Sequence, residues 1–369
     1  MKKQKIIIFY PSYENGGASI ILINLVNFFL KNNINVELLS LNAEYKYFIN
    51  SKKFKISNLN KKKKPYLKNS FLSNCYSIKK LFFLLKTNNK DSTVLFSMQR
   101  HLISTILGKI FNYQTIIRNS EDPFGATKYA DNKIISFLVF VSKFLTFNLA
   151  DKIITNANKS FNSIKFFLIN KSKVVVIFNP YISKYSKNKI YKTRKEKILL
   201  AAGRFSKQKN FEFLIEVFSD ITKKIKDYKL VIIGSGSYKS KILRKINYFR
   251  LQKKIKLKSW TKDISKELIK SKVFILPSLY EGCPNILVDA ISNSIPCISS
   301  NCSGAEDVLK NNKAGIIYPI NDKNKLKKGI IKIINNYSYY NNSAKKFSKS
   351  KIRFDIEKQS LKYMKILFK

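Results

Sequence analysis

The chain predicts an α/β protein of two lobes, each a parallel sheet covered on both faces by helices. Three observations carry that prediction. Short apolar runs of strand length alternate with segments whose apolar residues recur at helical spacing, first over residues 1–180 and again from Lys197 through Ile298. Between the two sets, the polar and charged run from Tyr181 to Glu196 interrupts the periodicity and reads as a linker. The third is size, since 369 residues with 45% hydrophobic content suffice for two sizeable cores. The expected division is residues 1–185 and 186–352, followed by a last helix at about 353–369.

In the first lobe, Lys5 to Tyr10 is a strand, Pro11 to Gly17 a turn, and Ala18 to Leu30 a helix. Gly16 and Gly17 at this strand-to-helix turn suit a small nest of backbone amides that holds an anion. Thr93–Ser97 and Gln114–Ile117 read as further strands, one followed by Gln99, Arg100 and His101, the other by Arg118 to Pro123. Ligands of open parallel sheets bind beyond the carboxyl ends of strands, so both ends should face the cleft between the lobes. Arg118 and Glu121 are therefore the candidates for meeting an acceptor, Glu121 with a general-base role. His101 is the only histidine, and a lone histidine is more often a hydrogen-bonded structural residue than a catalyst. The longest apolar stretch, Ile134 to Ala150, is broken by Ser136, Ser142, Lys143 and Asn148 and falls short of a membrane span. It is expected as a helix packed in the first domain, the alternative being a helix with one face on a membrane.

The second lobe opens with the strand Lys197–Ala202, the turn Gly203 to Asn210 and the amphipathic helix Phe211–Phe218. Arg204 and Lys209 flank that helix's start, where a fork-shaped donor and a point charge can both reach a diphosphate. Leu230 to Gly236 is again a strand running into a glycine turn. Lys239 stands where the third glycine of a dinucleotide fingerprint would fall, so the turn lines a pocket and is not an NAD site. The strand Val273–Leu276, closed by Pro277, leads into Ser-Leu-Tyr-Glu-Gly-Cys-Pro-Asn-Ile-Leu-Val-Asp at 278–289. Here Glu281 stands at the mouth of a helix and Asp289 inside it. The free amides of the helix mouth suit phosphate, and Gly282 lets the main chain approach a ligand closely. From Pro284 to Asp289 the helix climbs about 7.5 Å, so the two carboxylates can touch different parts of one long ligand such as a nucleotide sugar. Gly315–Tyr318 and Leu326–Ile334 continue the alternation, and Asn335 to Ser343 reads as a loop of biased composition.

Taken in order, Gly16-Gly17, Gly203-Arg204 with Lys209, Gly234-Ser-Gly236, the strand-loop around Trp260 and the segment from Glu281 to Asp289 resemble the retaining glycosyltransferases of family 4. That family has the GT-B architecture, two Rossmann-like domains whose parallel sheets face a central cleft. The likeness spans nearly the whole chain and is most specific in the second half. It implies transfer of a sugar from a nucleotide diphosphate donor to an acceptor hydroxyl with the anomeric configuration kept, a hexosyltransferase type of reaction. By that resemblance Arg204 and Lys209 hold the diphosphate, Glu281 meets the sugar hydroxyls and Asp289 the ribose. Gly16, Gly17, Gly203, Gly234, Trp260, Gly282 and Asn285 complete the donor side, and the last helix packs back on the first domain. Asp289 departs from the family, which usually has Glu there. Its side chain is one methylene shorter, which lengthens a ribose hydrogen bond or routes it through water. A lipid-linked saccharide or a growing surface polysaccharide is the acceptor the resemblance suggests.

The formal net charge is +49, from 71 Lys+Arg against 22 Asp+Glu. Lysine is spread along the chain beside abundant Asn and Ile, a trio that a nucleotide bias toward A and T also produces. Only Lys61–Lys64 forms a tight block, placed in a loop by Asn58, Asn60 and Pro65. A positive surface attracts anionic membrane lipid, at about 1 kcal/mol per basic residue near the surface. It attracts nucleic acid as well, but no aromatic-basic recognition motif is present, so no specific nucleic-acid partner is expected. The apolar run Ile6–Tyr10 is too short for an export signal, and Cys75, Cys283, Cys297 and Cys302 show no Cys-x-x-Cys spacing. Both point to the cytoplasm, and the positive surface to peripheral attachment at the inner face of the membrane. The chain has no Asp-x-Asp pair, so no divalent metal is expected on the phosphates and no cofactor is required. Two alternatives stay open: an epimerase or hydrolase of nucleotide sugars on the same fold, for which one histidine is a thin supply of acid-base groups, and a basic nucleic-acid-binding protein.

Overall fold

Strands covered on both faces need near-continuous apolar runs, and each sheet is built on them: Ile6, Ile7 and Ile8 in one and Leu199, Leu200 and Ala201 in the other are fully buried. The computed structural model describes residues 4–13, 16–40, 43–58, 70–182, 195–261, 263–309, 315–348 and 351–368. Its first lobe contains β1 (Lys5–Phe9), α1 (Gly17–Lys31), β2 (Asn35–Ser40), β3 (Phe54–Asn58), α2 (Ser70–Thr87), β4 (Thr93–Ser97), α3 (His101–Ile110), β5 (Thr115–Asn119), α4 (Pro123–Lys128), α5 (Lys133–Leu149), β6 (Lys152–Thr155), α6 (Asn158–Lys165) and β7 (Val174–Val176). The strands form a seven-stranded parallel sheet in the order β3-β2-β1-β4-β5-β6-β7.

The second lobe contains β8 (Ile198–Ala202), α7 (Phe211–Ile221), β9 (Lys229–Ile233), α8 (Lys239–Tyr248), β10 (Ile255–Lys258), α9 (Ile264–Lys270), β11 (Val273–Leu276), α10 (Asn285–Ser292), β12 (Cys297–Ser300), α11 (Ala305–Leu309), β13 (Gly315–Tyr318), α12 (Lys323–Asn335) and α13 (Tyr337–Ser348). Its six parallel strands run β10-β9-β8-β11-β12-β13. Strand order reverses between β1 and β4 in one sheet and between β8 and β11 in the other. Crevices at such reversals are where doubly wound sheets take ligands, and the second lobe's is bordered by Gly203–Lys209 on one side and Ser278–Gly282 on the other.

The chain crosses between the lobes twice, and the crossings lie side by side. Tyr181 and Ile182 N–H donate to Phe354 O, and Ile356 N–H donates to Ile182 O, each at 2.9 Å. The second crossing delivers α14 (Ile356–Leu367) to the first lobe, where Tyr363 and Leu367 are fully buried among Ile21, Leu22 and Phe29.

Residues 335–343 are not a loop: α12 ends at Asn335 and α13 follows, because Tyr340 and Ala344, four apart on one face, are buried against the second lobe. The helix over 134–150 is present as α5, but of its residues only Thr146 and Phe147 are buried, so it is not packed into the first domain along its length. The strand expected at Gln114–Ile117 runs on as β5 through Arg118 and Asn119, both buried. The lysine block 61–64 and the domain boundary at 185 lie outside the described residues.

Candidate active site

The end of β8 and the end of β11 bring one cation and one carboxylate together. Lys209 Nζ lies 2.5 Å from Glu281 Oε1, and both side chains are largely withdrawn from solvent. Ser278 Oγ donates to the same carboxylate oxygen at 2.7 Å. Gln208 clasps the two loops: its carbonyl accepts from Leu279 N–H at 2.8 Å and its amide donates to Tyr280 O at 2.9 Å, with Glu281 Oε2 at 3.5 Å. The stem of Lys209 runs across Gly203, where a Cβ would sit 3.0 Å from Lys209 Cε and φ is +154°. The backbone angle favours glycine at that position, and any added side chain would also have to displace the Lys209 stem. Arg204 follows on the same turn and is exposed. Gly203 N–H donates to Ile233 O at 2.9 Å, Gly234 N–H to Lys258 O at 3.0 Å, and half-exposed Trp260 lies just past β10, so these strand ends form one rim.

Gly282 turns out to serve the meeting of the lobes. A Cβ there would fall 1.9 Å from Ser120 O of the first lobe, so glycine is needed for protein to approach protein, not for a ligand to approach the main chain. Two further bonds hold the same loop across the gap: Asp122 N–H to Glu281 O at 3.2 Å and Asn179 Nδ2 to Cys283 O at 3.3 Å. Asn285, the first residue of α10, accepts from Asn179 Nδ2 at 2.7 Å and donates to Gly17 O at 3.3 Å, which joins α10 to the Gly16-Gly17 turn of the first lobe. Deeper in α10, Asp289 accepts from the Tyr181 hydroxyl at 2.7 Å. Burial pushes the Asp289 carboxyl up to about 7, against the lowering effect of the Tyr181 hydrogen bond.

The acceptor-side candidates are dispersed. Arg118 is 2% exposed, and its guanidinium is spent on protein: Nε donates to the Tyr363 hydroxyl at 3.0 Å, Nη2 to Asn179 Oδ1 at 2.7 Å, and Nη1 to Ser120 Oγ. Asn156 Nδ2 also reaches Asn179 Oδ1, at 3.2 Å. Because β5 carries Arg118 inside the sheet, it ties the first lobe, the crossing and α14 together instead of lying open to an acceptor. Glu121 is exposed, with Oε1 3.7 Å from Lys143 Nζ of α5. Its charge reaches Tyr280, whose hydroxyl is pushed up to about 12 chiefly by burial, then by Glu121 and Glu281. His101 Nδ1 lies 3.0 Å from Ser97 Oγ, and burial, with Lys143 and Arg118 nearby, brings its imidazole down to about 4. The ring is thus neutral at ordinary pH, as a structural histidine would be.

Residues 184–353 match the family model described as glycosyl transferases group 1. The match covers the second lobe. Over 98% of this chain and 99% of the relative, the sequence is 25% identical to an N-acetylgalactosamine-N,N'-diacetylbacillosaminyl-diphospho-undecaprenol 4-alpha-N-acetylgalactosaminyltransferase of Campylobacter jejuni. It is 26% identical to an uncharacterized glycosyltransferase of Haemophilus influenzae, over 88% of each chain. The fold superposes on Anabaena Alr3699/HepE, solved with UDP and glucose, with a TM-score of 0.78 at 14% identity over 99% of each chain. The architecture is therefore GT-B, and the Lys209–Glu281 pair lies within the matched segment. Sequence reasoning passed over Ser278 and Gln208, which hold that pair, although both stand inside the segments singled out. It also missed Tyr181 and Asn179, whose bonds to α10 span more than a hundred residues.

Proposed function

We propose that the protein transfers a sugar from a nucleotide diphosphate to an acceptor hydroxyl with retention of configuration and without a divalent metal. The observation that carries this reading is the Lys209–Glu281 pair at the strand reversal of the second lobe. The hard step is departure of a nucleoside diphosphate from the anomeric carbon, so the site must stabilise negative charge growing on the leaving oxygen. Arg204, Lys209 and the amides at the start of α10 supply positive potential fixed in advance, which needs no rearrangement during reaction. Glu281 Oε1 is committed to Lys209 and Ser278, while Oε2, with the Gln208 amide at 3.5 Å, meets the sugar's hydroxyls and fixes the sugar relative to the cation. Asp289 serves the ribose, and on ionising it also accepts from Tyr181. Retention lets the departing phosphate take the acceptor's proton, so no histidine base is required.

The acceptor we assign is a saccharide carried on lipid or on a growing polysaccharide, as the name of the Campylobacter relative suggests for its own substrate. The test is native mass spectrometry against a panel of nucleotide sugars, followed by turnover of the bound donor with a lipid-linked acceptor in the presence of EDTA. Transfer of an α-linked sugar, undiminished by the chelator, is the expected result. Strict dependence on magnesium or manganese, or rapid release of free or epimerised sugar without acceptor, would overturn it.

A further inference from the structure

Helix α5 carries apolar residues at Ile134, Phe137, Leu138 and Val141, the i, i+3, i+4, i+7 spacing that ordinarily marks a face turned to the core. Here that face points outward. Ile134 is 76% exposed and Leu138 63%, and the loop held to the far end of the same helix adds Phe166 and Ile169, the latter 80% exposed. The attachment is direct, since Asn148 of α5 donates to Phe167 O at 2.7 Å and accepts from Ile169 N–H at 3.0 Å. A contiguous apolar surface of this kind does not stay in water without cause.

The charge around it says what covers it. Helices α2 to α6 contain no Asp or Glu, while Lys133 opens α5 and Lys165 closes α6 beside Phe166. Asp131, the nearest acid before α5, is drawn off to the second lobe by Lys207 at 3.5 Å and the Tyr238 hydroxyl at 2.9 Å. A second copy of this chain laid on the same face would oppose lysine to lysine within a molecule of net charge +49. An anionic surface with an apolar interior satisfies both features at once. We propose that the outward face of α5, with Phe166 and Ile169, is the surface by which the protein lies on an anionic lipid bilayer, the side chains entering the acyl boundary and the lysines meeting the headgroups. No helix of the described residues is long and apolar enough to cross a membrane, so α5 lies in the plane of the surface. Glu121 pairs with Lys143 on this same helix, so the bilayer would border the acceptor side of the cleft.

The proposal stands apart from the sugar-transfer reading, because its test uses no sugar. The full chain is sedimented with vesicles of phosphatidylglycerol and phosphatidylcholine mixed, and with phosphatidylcholine alone. Binding to the anionic vesicles is expected, weaker at high salt, and the triple change Ile134→Ser, Phe137→Ser, Leu138→Ser should lower the partition coefficient about tenfold or more. A second variant, Lys133→Glu with Lys165→Glu, leaves the apolar face whole and places an acid where the start of α5 favours one, so it tests the surface even where the triple variant folds poorly. It should lower anionic-vesicle binding severalfold and leave the circular dichroism unchanged. Failure of the wild type to bind anionic vesicles, or charge-reversed protein binding them as tightly as the wild type, would overturn the proposal. A wild-type dimer in buffer that the triple variant splits, with vesicle binding unmoved, would assign the face to a second copy instead.

Discussion

At the carboxyl ends of its strands the second lobe presents a cation and a carboxylate held at 2.5 Å by hydrogen-bonding neighbours, whereas the first lobe buries Arg118 in a knot of neutral partners. The difference continues outward. Helices α7, α9, α10 and α11 of the second lobe each carry at least one acid, while α1 to α6 of the first carry none. On the functions proposed above, the second lobe would take the diphosphate in its crevice and the first would meet the lipid surface, although α8, α12 and α13 of the second lobe also carry no acid.

The sharpest way to break this comparison is to remove the cation. Lys209→Met leaves Glu281 withdrawn from solvent with only Ser278 and Gln208 as polar company. Turnover per bound donor should fall by about a thousandfold, and stability by about 3 kcal/mol. Stopped assays and chemical denaturation read the two separately, and loss of stability with turnover intact would make the pair purely structural. Arg118→Met should do the reverse. It orphans the Tyr363 hydroxyl, Asn179 and Ser120, so the melting temperature should drop by roughly 4–8 °C, for about 2 kcal/mol, with the donor KM little changed. A large KM effect without a thermal shift would move Arg118 into the site.

The smallest effect concerns Asp289. Burial raises its folded-state value to about 7, above the ordinary carboxylate range. The folded chain therefore holds that proton more tightly than the unfolded chain. The resulting stability is complete below about pH 4 and is lost as pH rises through about 7. Asp289→Asn should consequently flatten the stability profile between pH 4 and 7 and raise the melting temperature at pH 8 by about 2–4 °C. If the ionised carboxylate serves the ribose, donor affinity in the wild type should increase from pH 6 to 8 and lose that dependence in the variant. An unchanged profile in both measurements would mean that Asp289 titrates as an ordinary surface acid.

The alternation of strands and helices was readable because parallel strands announce themselves as apolar runs, and so were the two turns that flank the crevice of the second lobe. Gly203, Arg204, Lys209 and Glu281 sit in short local patterns whose chemistry follows from a strand end and a helix mouth. What lay beyond reading was contact across the chain. Arg118 meets Asn179 at a separation of 61 residues and Tyr363 at 245, so nothing near Arg118 announces that its charge is already engaged. Gly282 showed the need for a bare backbone, but only the position of Ser120 reveals what approaches it. Helix α13 was hidden by its Asn, Tyr and Ser content, since Tyr340 and Ala344 make a stripe too brief to outweigh composition. Helix α5 misled in the opposite sense, because periodicity reports an apolar face without saying whether protein lies against it.

The paired crossings make the joint between the lobes resemble the spine of a book. Two strands of chain stitched by the bonds of Tyr181, Ile182 and Ile356 resist sliding and twisting, since either would part the stitches. Swinging the covers apart would spare those stitches but part the bonds of Asp122 to Glu281 and of Asn179 to Cys283, and Tyr181 on the spine carries the hydroxyl that Asp289 shares.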